Sequence, residues 1–253
     1  MIAEVSARVP ASLRAYRDAV AAGPGGPAAQ PLARLRDPAV FDAMLSAFAR
    51  GLGGCGAAPD RRALVSYWSQ FYLAALATPA LTALVRLGRP LPLAFDATRL
   101  ELDPAGRPAR LLVAGDAADG TDPAAALAPG LQGLVEGHLR PFVSLCHAGC
   151  GLAPRVVWGN AAVILDYVAG ELDREPAAAR VGDPDGNAAD ASVEVAACLG
   201  WRAGPACARS PLAGALCPGT SGCRHRRACC LRHRLPGVPT CGALCPLERA
   251  AAH

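Results

Sequence analysis

Four cysteines near the end of the chain have the type and spacing of a metal or cluster site. Cys229 and Cys230 are adjacent, ten residues separate Cys230 from Cys241, and three residues separate Cys241 from Cys245. Four thiolates are the ligand set of a [2Fe-2S] cluster and also of a structural zinc site. The number of ligands therefore leaves iron–sulfur and zinc both open.

The residues between the two cysteine pairs favour a preformed site. The segment Leu235-Pro236-Gly237-Val238-Pro239 predicts a rigid turn, which brings the second pair back to the first without ordering many free residues. Neighbouring side chains of extended backbone point apart, so Cys229 and Cys230 share one small site only if the backbone turns or each faces a different part of a two-iron cluster. Zinc sites more usually separate such a pair by about two to four residues.

The N-terminus and the distribution of all the cysteines indicate the redox conditions under which the protein works. The chain has 11 cysteines, and seven of them lie within the 39 positions from Cys207 to Cys245. Met1-Ile2-Ala3-Glu4 lacks the basic start and apolar stretch of a secretory signal, so we expect a cytoplasmic protein. A reducing compartment disfavours a disulfide framework, and cysteine clusters there more often bind metal or do redox work. Disulfides or free thiols are the third interpretation of the four cysteines.

The longest nearly apolar run is too short to predict a membrane span. It covers residues 73–85, which is 13 residues, and contains Pro79. A helix needs about 20 apolar residues to cross a bilayer. Peripheral contact with the inner membrane stays open.

The tail sequence resembles the C-terminal signature of FhuF-type ferric siderophore reductases. The resemblance rests on Arg226-Arg227-Ala228-Cys229-Cys230-Leu231-Arg232-His233-Arg234-Leu235-Pro236-Gly237, followed by Cys241 and by Cys245-Pro246-Leu247. Upstream, Tyr67-Trp68-Ser69-Gln70-Phe71-Tyr72, Arg89-Pro90-Leu91-Pro92-Leu93 and Arg155-Val156-Val157-Trp158-Gly159-Asn160 are similar to family landmarks. The resemblance runs from about residue 64 to residue 247, and it departs from the family where three residues instead of the usual two separate the last cysteines.

The resemblance implies a cofactor and an activity. Cys229, Cys230, Cys241 and Cys245 would hold a [2Fe-2S] cluster, with no catalytic residue beyond these ligands. The activity would be one-electron reduction of an imported ferric siderophore of hydroxamate-like type, which releases Fe(II) in the cytoplasm. The electron donor would be ferredoxin-like, a flavoprotein or an NAD(P)H-linked reductase. The alternative is a non-enzymatic protein in which zinc at the same cysteines staples a siderophore-binding or interaction domain.

The charge of the tail differs from that of the body. All 25 basic residues are Arg, and residues 203–247 contain six Arg and no acidic residue, so residues 1–202 carry a net charge of −2. The basic group predicts either a face that docks an anionic electron donor or ferric chelate, or a plain solvated face. No nucleic-acid partner is expected, because interleaved aromatic residues are absent. The group comprises Arg224, His225, Arg226, Arg227, Arg232, His233 and Arg234.

The elements that must position these residues are mostly helices. Apolar periodicity predicts helices over residues 35–52, from near Asp60 to a bend or break at Pro79, over residues 130–145 and over residues 154–172. A period of two between residues 90 and 114, with a turn at residues 103–106, predicts a short antiparallel hairpin or sheet, and residues 193–201 form a last apolar stretch. The predicted fold is α+β, with a mostly helical body at residues 1–205, a small antiparallel β-sheet, and a cluster-binding tail at residues 206–253.

Several other residues are weaker candidates. The motif Cys146-His147-Ala148-Gly149-Cys150 offers three ligands, but packing at a helix end is favoured. The loop at residues 183–194 has calcium-loop offsets, but Ala188 stands where glycine is needed, so a plain loop is favoured. We expect Cys217 and Cys223 to be buried spare thiols and Asn160 to need a polar partner, from the backbone or the siderophore. Core packing is expected for Tyr67, Trp68, Phe71, Tyr72 and Trp158.

Overall fold

The computed structural model describes residues 1–53, 59–115, 123–174, 191–200, 210–218 and 224–247. The α-helices are α1 Ile2–Ala7, α2 Pro38–Gly51, α3 Arg61–Leu87, α4 Pro123–Leu134, α5 Arg140–Cys150, α6 Pro154–Arg174 and α7 Ala191–Leu199. The strands are β1 Val20–Ala22, β2 Gln30–Pro31, β3 Arg99–Leu102, β4 Pro108–Val113, β5 Leu216–Cys217 and β6 His225–Arg226. This confirms the α+β class.

Helix α3 is the central element of the body. The side chain of Asp60 caps its first turn by accepting hydrogen bonds from the amides of Arg62 and Ala63. The helix ends at Gly88, whose left-handed backbone (φ 61°) lets its amide bond back to the last turn. Between these ends, α3 contacts α1, α2, α4, α5, α6 and the sheet. It is thus the scaffold on which the rest of the body packs.

The sequence predicted that α3 bends or breaks at Pro79, and the predicted break is wrong. Pro79 lies inside the helix, which continues to Leu87. Proline removes one backbone hydrogen bond, but its neighbours from Ala75 to Leu84 are all buried. Burial of this stretch outweighs the loss of one bond.

A polar pair fixes α3 to the segment after α4. The turn Val135–Leu139 is a π-helical turn between α4 and α5, and it carries His138. His138 is fully buried, and its Nε2 lies 2.5 Å from the Tyr72 hydroxyl. Its Nδ1 donates to the carbonyl oxygen of Leu93. The carbonyl can only accept, so Nδ1 carries a proton, and burial lowers the pKa of His138, which favours the neutral ring with Nε2 as an acceptor.

The main sheet has the order β1-β4-β3-β2. Strands β3 and β4 are antiparallel, with Leu100 opposite Leu111, which confirms the predicted hairpin and its turn. Two parts of the prediction are wrong. Strand β1 pairs in parallel with β4, so the sheet is mixed and not purely antiparallel, and the residues from Leu91 to Phe95, predicted to alternate as a strand, lie outside the strands. Three-residue and two-residue strands carry too little periodicity to be recognised in sequence.

The hairpin turn is tied to α3. Trp68 Nε1 donates a hydrogen bond of 3.0 Å to the carbonyl oxygen of Gly106. Gly106 has a positive φ of 74°, and a Cβ there would lie 2.5 Å from the backbone nitrogen of Phe48. Glycine is therefore required where the turn meets α2 and α3.

Helix α3 is also long and apolar enough to cross a membrane by length and composition. Its most apolar 18-residue window has a mean hydropathy of 1.3, and 89% of that window is buried inside the protein. Packing against α4, α6 and the sheet accounts for this composition. The sequence had indicated only a shorter run, because residues 61–72 mix polar and aromatic side chains with the apolar ones.

Candidate functional site

The described part of the tail packs across the ends of α3 and α6. The short hairpin of β5 and β6 contacts α6, and the 3-10 turn Arg232–Arg234 contacts α3. Cys229 and Cys230 follow β6 directly, while Cys241 and Cys245 flank a second 3-10 turn, Gly242–Leu244, which contacts β6. The predicted turn between the pairs therefore returns the second pair to the first.

Two of the four cysteine sulfurs are in contact. Cys230 Sγ and Cys241 Sγ lie 3.6 Å apart. A tetrahedral metal with metal–sulfur bonds of about 2.3 Å places its sulfur ligands about 3.8 Å from each other. This pair is spaced as two ligands of one metal ion would be.

Cys229 and Cys245 complete the group more loosely. Cys245 is 7% exposed and Cys229 is half-buried. The pKa of Cys229 is raised, mainly by partial burial and further by the charges that Cys230 and Cys245 would carry. Within the described ranges, no group of three or more His, Cys, Asp or Glu side chains is arranged to hold a metal ion. The structure thus joins one pair and leaves the fourfold ligand set a prediction.

The backbone at Leu231 explains how adjacent cysteines serve one site. Leu231 is the one non-glycine residue of the described chain with a positive φ, at 62°. This left-handed conformation costs roughly 1 kcal/mol for a residue with a Cβ. It turns the Leu231 amide back onto Cys229 Sγ, at 3.3 Å. The local turn that an adjacent pair requires is therefore present.

Three polar contacts join the tail to one face of α3. The Ser66 hydroxyl donates a 2.7 Å hydrogen bond to the carbonyl oxygen of Cys230. Gln70 Oε1 accepts from Arg232 at 2.6 Å, and the Arg232 guanidinium lies 4.8 Å from the centre of the Tyr67 ring. The carboxylate of Asp60 accepts from Arg234 at 2.8 Å. These contacts span three turns of α3 and fix the position of the cysteines relative to this helix.

Asn160 on α6 supports the first of these contacts. It is fully buried, and its Nδ2 lies 3.1 Å from the Ser66 carbonyl oxygen, Ser66 Oγ and Ser69 Oγ. The polar partner that the sequence required is thus α3 itself. Asn160 orients the hydroxyl that holds Cys230.

The buried Arg226 is the strongest electrostatic feature near the cysteines. Only 2% of this residue is exposed, and its Nε and Nη1 have no hydrogen-bond partner in the part of the chain that the structure describes. Burial lowers the pKa of Arg226, while Cys230, Cys241 and Cys245 act to raise it. An unpaired buried cation is costly unless an anion compensates it. Thiolates, or a cluster held by them, are anions suited to this position.

The contacts of Cys230 also favour its ionised form. Its hydrogen bond with Cys241 lowers the pKa of Cys230 to about 5, and Arg226 and Arg232 act in the same direction. The same bond raises the pKa of Cys241. The contact therefore favours the thiolate at one member of the pair, which is the form that binds metals.

The predicted basic group does not form one face. Arg226 is buried, Arg224 pairs with Asp166 at 3.3 Å, and Arg232 is held by Gln70. Arg227 and His233 are exposed on the surface, as is Arg234 beside Asp60. Part of the group therefore serves the cysteine site from within.

Two cavities flank the cysteines. The first, called the Tyr167 cavity, has a volume of about 710 Å³ between α3, α6 and the tail, and Cys241 lies in its wall. The second, called the Arg155 cavity, has a volume of about 630 Å³ and includes Arg155, Trp158, Arg227 and Cys229. Cys230 and Cys245 line neither cavity.

Comparison with known proteins identifies the family. A model of the family described as "Ferric iron reductase FhuF-like transporter" matches residues 66–205, more than half of the chain. The chain belongs to the FhuF-like ferric iron reductase family. No curated protein matches the chain. The match includes α3 from Ser66 onward and all of α4 to α7, and it ends before the four tail cysteines.

The FhuF-like match therefore supports the resemblance seen in sequence for the body. It covers all three upstream stretches that suggested the family, which are Tyr67 to Tyr72, Arg89 to Leu93 and Arg155 to Asn160. These stretches carry Gln70 and Asn160, which hold the tail directly or through Ser66. The body that belongs to the family is thus the surface on which the cysteines rest.

The weaker site candidates from the sequence lie in different environments in this FhuF-like chain. Cys146 is fully buried, and Cys150 closes α5 by donating to the Cys146 carbonyl oxygen at 3.3 Å. Helix α5 ends at Gly151 in the left-handed conformation, so packing at a helix end is confirmed, and burial raises the pKa of both thiols. Cys217 is half-buried in β5 instead of fully buried. Cys223 and residues 183–190 of the calcium-like loop lie outside the described residues.

Some aromatic side chains of α3 lie in the core, and others line the Tyr167 cavity. Trp68 and Tyr72 are fully buried, and Trp158 of α6 is 8% exposed, which confirms their core role. Tyr67 and Phe71 are half-buried and line the Tyr167 cavity. Ser66 and Tyr16 were missed by sequence reasoning, since an isolated serine before an aromatic stripe and a tyrosine near the N-terminus carry no distinctive spacing.

Proposed function

We propose that the protein is an iron–sulfur ferric-siderophore reductase. Cys229, Cys230, Cys241 and Cys245 hold a [2Fe-2S] cluster, and one electron passes to the Fe(III) of a hydroxamate-like siderophore. The main support is the Cys230–Cys241 sulfur pair at 3.6 Å beside the buried guanidinium of Arg226, whose Nε and Nη1 have no hydrogen-bond partner among the described residues. Membership of the FhuF-like family supports the ferric reductase activity.

The chemistry of iron release is simple. Hydroxamate oxygens are hard donors that bind Fe(III) tightly, and Fe(II) is less charged and softer, so its affinity for them is much lower. The bound cluster would supply the one electron that Fe(III) takes up, and an external one-electron donor restores it. The protein needs no acid or base at the iron. Its residues must hold the ligands, exclude water from two of the sulfurs and admit the chelate near a third.

The charges around the sulfurs fit this role. A [2Fe-2S] unit with four thiolates is an anion and becomes more negative on reduction. Arg226 and Arg232 both lie near enough to Cys230 to lower its pKa, so they also favour the more negative state. The protein thereby makes reduction easier than it would be at an apolar site.

The electron donor is an acidic one-electron carrier that docks over the Arg155 cavity. Arg155 and Arg227 are exposed beside Cys229 there, and neither makes an ion pair within the described ranges. Opposite charge on the donor would raise the rate of encounter. A ferredoxin-like protein or a flavoprotein with an acidic face meets this requirement.

The proposed compartment is the cytoplasm, with peripheral contact at the inner membrane left open. All eight cysteines in the described part of the chain are free thiols. Cytosolic reductants keep thiols in this state, which cluster ligands require. Iron released there as Fe(II) is available at once to the cell.

The decisive experiment is anaerobic purification followed by iron and acid-labile sulfide analysis. We expect two irons and two sulfides per chain, visible absorption, and an EPR signal after reduction that disappears on adding a ferric trihydroxamate. Cys→Ser at each of the four positions abolishes the cluster and iron release, whereas Cys217→Ser and Cys150→Ser serve as controls that retain both. Full retention after Cys245→Ser would mean that the three-residue spacing has moved the fourth ligand, for which Cys223 is the nearest replacement.

A colourless protein with one zinc ion would overturn the proposal. The Cys230–Cys241 separation fits a tetrahedral zinc site equally well. In that case the four cysteines staple the tail to the body, and the protein binds a siderophore or a partner without redox chemistry.

A further inference from the structure

The Tyr167 cavity has a composition unlike that of the chain as a whole. The protein has only four tyrosines, and three of them, Tyr16, Tyr67 and Tyr167, line this one cavity. The fourth is the buried Tyr72. Phe71 adds a further aromatic wall. An aromatic-poor chain thus concentrates its amphipathic rings at one concave surface.

The exposure of Tyr167 needs an explanation beyond folding. It is 54% exposed, and the described residues contain only one other large exposed apolar side chain, Leu247. Tyr167 lies on α6 one turn from Val163 and Ile164, which also line the cavity. A tyrosine at the mouth of an apolar cavity offers both a ring face and a hydroxyl, which is the usual chemistry of a small-molecule site.

The cavity also has a cationic side that faces the cysteines. Arg224, Arg226 and Arg232 line it, and Asp166 is the one acid in its wall. Arg226 is 2% exposed, and its Nε and Nη1 have no hydrogen-bond partner among the described residues. Guanidinium groups and tyrosine hydroxyls are donors suited to the oxygen-rich surface of a metal chelate.

Only one cysteine of the site reaches this cavity. Cys241 lies in its wall, Cys229 lines the Arg155 cavity on the other side, and Cys230 and Cys245 are buried. Electron transfer weakens steeply with distance. Of the four cysteines, a ligand in the Tyr167 cavity can therefore contact only Cys241, whereas the proposed donor docks over the cavity that Cys229 lines.

We propose that the Tyr167 cavity is the binding site of the ferric chelate, and that the electron leaves the protein through Cys241. This inference rests on the proposed function and specifies where its substrate binds. One electron passes to Fe(III), which becomes Fe(II). The acidic one-electron donor at the Arg155 cavity then replaces the electron that the cluster has lost. A volume of about 710 Å³ admits a compact organic chelate and excludes a protein-bound iron.

Binding can be separated from electron transfer with a redox-inert ion. Gallium(III) has the charge and nearly the size of Fe(III) but is not reduced in these conditions. The probe is the gallium(III) complex of a linear trihydroxamate, titrated into the cluster-containing protein by isothermal calorimetry without oxygen. We expect one complex to bind per chain.

Two variants remove the site in different ways. Tyr167→Ala removes an exposed ring, and its control is Leu247→Ala, which removes the other exposed apolar side chain outside the cavity. Gly170→Leu fills the cavity from α6, where an added Cβ meets nothing within 4 Å. Its control is Gly133→Leu on α4, which is equally open and does not line the Tyr167 cavity. We expect at least tenfold weaker binding for the two cavity variants and less than twofold change for the controls.

The outcomes distinguish this inference from the proposed function. If the wild-type protein reduces the ferric complex but Gly170→Leu binds the gallium complex as tightly as wild type, the cavity is not the site and the reductase stands. If the gallium complex binds and Gly170→Leu blocks it in a protein without iron and sulfide, the cavity stands and the reductase fails. Absence of gallium binding in a protein that reduces the ferric complex also overturns the cavity assignment.

Discussion

The hydroxyl of Ser66 donates to the carbonyl oxygen of Cys230 across 2.7 Å, although the two residues are 164 positions apart. The bond is buried, and Asn160 of α6 contacts the same hydroxyl at 3.1 Å. One hydrogen-bonded group thus connects the two longest helices to the cysteine-bearing tail. The position of the cysteines is set by the body as much as by the tail.

Ser66→Ala tests this connection. The change leaves the Cys230 carbonyl oxygen buried without its donor, so we expect a loss of about 1–3 kcal/mol in the free energy of unfolding. Urea denaturation measures the loss, and the rate of alkylation of Cys230 reports local loosening of the tail. The control is Ser69→Ala, whose hydroxyl donates within α3 to the Ser66 carbonyl oxygen and does not contact the tail. Equal alkylation rates in the two variants would show that Ser66 does not position Cys230.

We expect the substitution Arg226→Met to change the melting temperature in opposite directions with and without the proposed cofactor. Without the cofactor, Arg226 is a buried cation with two unpartnered nitrogens, so its removal raises the melting temperature. With the anionic cluster bound, the same change removes a compensating charge and lowers the melting temperature.

The reduction potential gives a second measure of the same change. Loss of the Arg226 charge disfavours the more negative reduced state, so the potential falls by roughly 60 mV, a tenfold change for one electron. EPR-monitored titration measures it. Arg227→Met is the control, because Arg227 is exposed and donates to the Gly214 carbonyl oxygen. A melting temperature that shifts in the same direction in both forms would contradict this role.

We expect acid to lower the stability of the body because His138 is buried. Burial lowers the pKa of His138 from 6.5 to about 4. Between these values the unfolded chain binds a proton that the folded chain does not, so stability is complete above pH 6.5 and falls as the pH drops toward 4. The slope is about 1.4 kcal/mol per pH unit at most.

His138→Gln provides the comparison for that pH dependence. Glutamine keeps a neutral donor and acceptor between Tyr72 and Leu93 but does not titrate. The difference in unfolding free energy between variant and wild type, measured by urea titration from pH 7.5 to 4.5, isolates the contribution of His138. A constant difference across this range would show that His138 is not held neutral.

Arg155→Ala and Arg227→Ala test the donor surface. We expect each to raise the KM for a reduced acidic ferredoxin several-fold and to weaken the dependence of rate on ionic strength. Reduction by dithionite is the internal control, because a small chemical reductant needs no docking surface and proceeds unchanged. Arg36→Ala, far in sequence from the tail and paired with Asp96 at 2.6 Å, is the matched surface control.

The sequence predicted long elements well and contacts between distant residues poorly. Periodicity located α2, α3, α6 and the β3–β4 hairpin, because each buries one face over several turns or alternates over several residues. It could not show that α3 passes Pro79, since only tertiary packing compensates the missing hydrogen bond. Nor could it show the parallel pairing of β1 with β4, which joins segments about 90 residues apart.

The candidate site shows the same division. The four cysteines are recognisable because their spacing is local, and the structure places Cys230 and Cys241 in contact. The residues that hold them are not local: Ser66, Gln70 and Asp60 lie on α3, and each meets the tail only through folding. Arg226 was grouped with exposed arginines because burial of one member of a basic run leaves no mark in sequence.

The contact between Ser66 and Cys230 also orders events during biosynthesis. A chain emerging from the ribosome completes α3 long before the tail exists, and the tail finds its anchoring groups only after α6 has packed beside α3. The contact between Cys230 and Cys241 therefore forms last, on a body that already presents the groups that hold the tail.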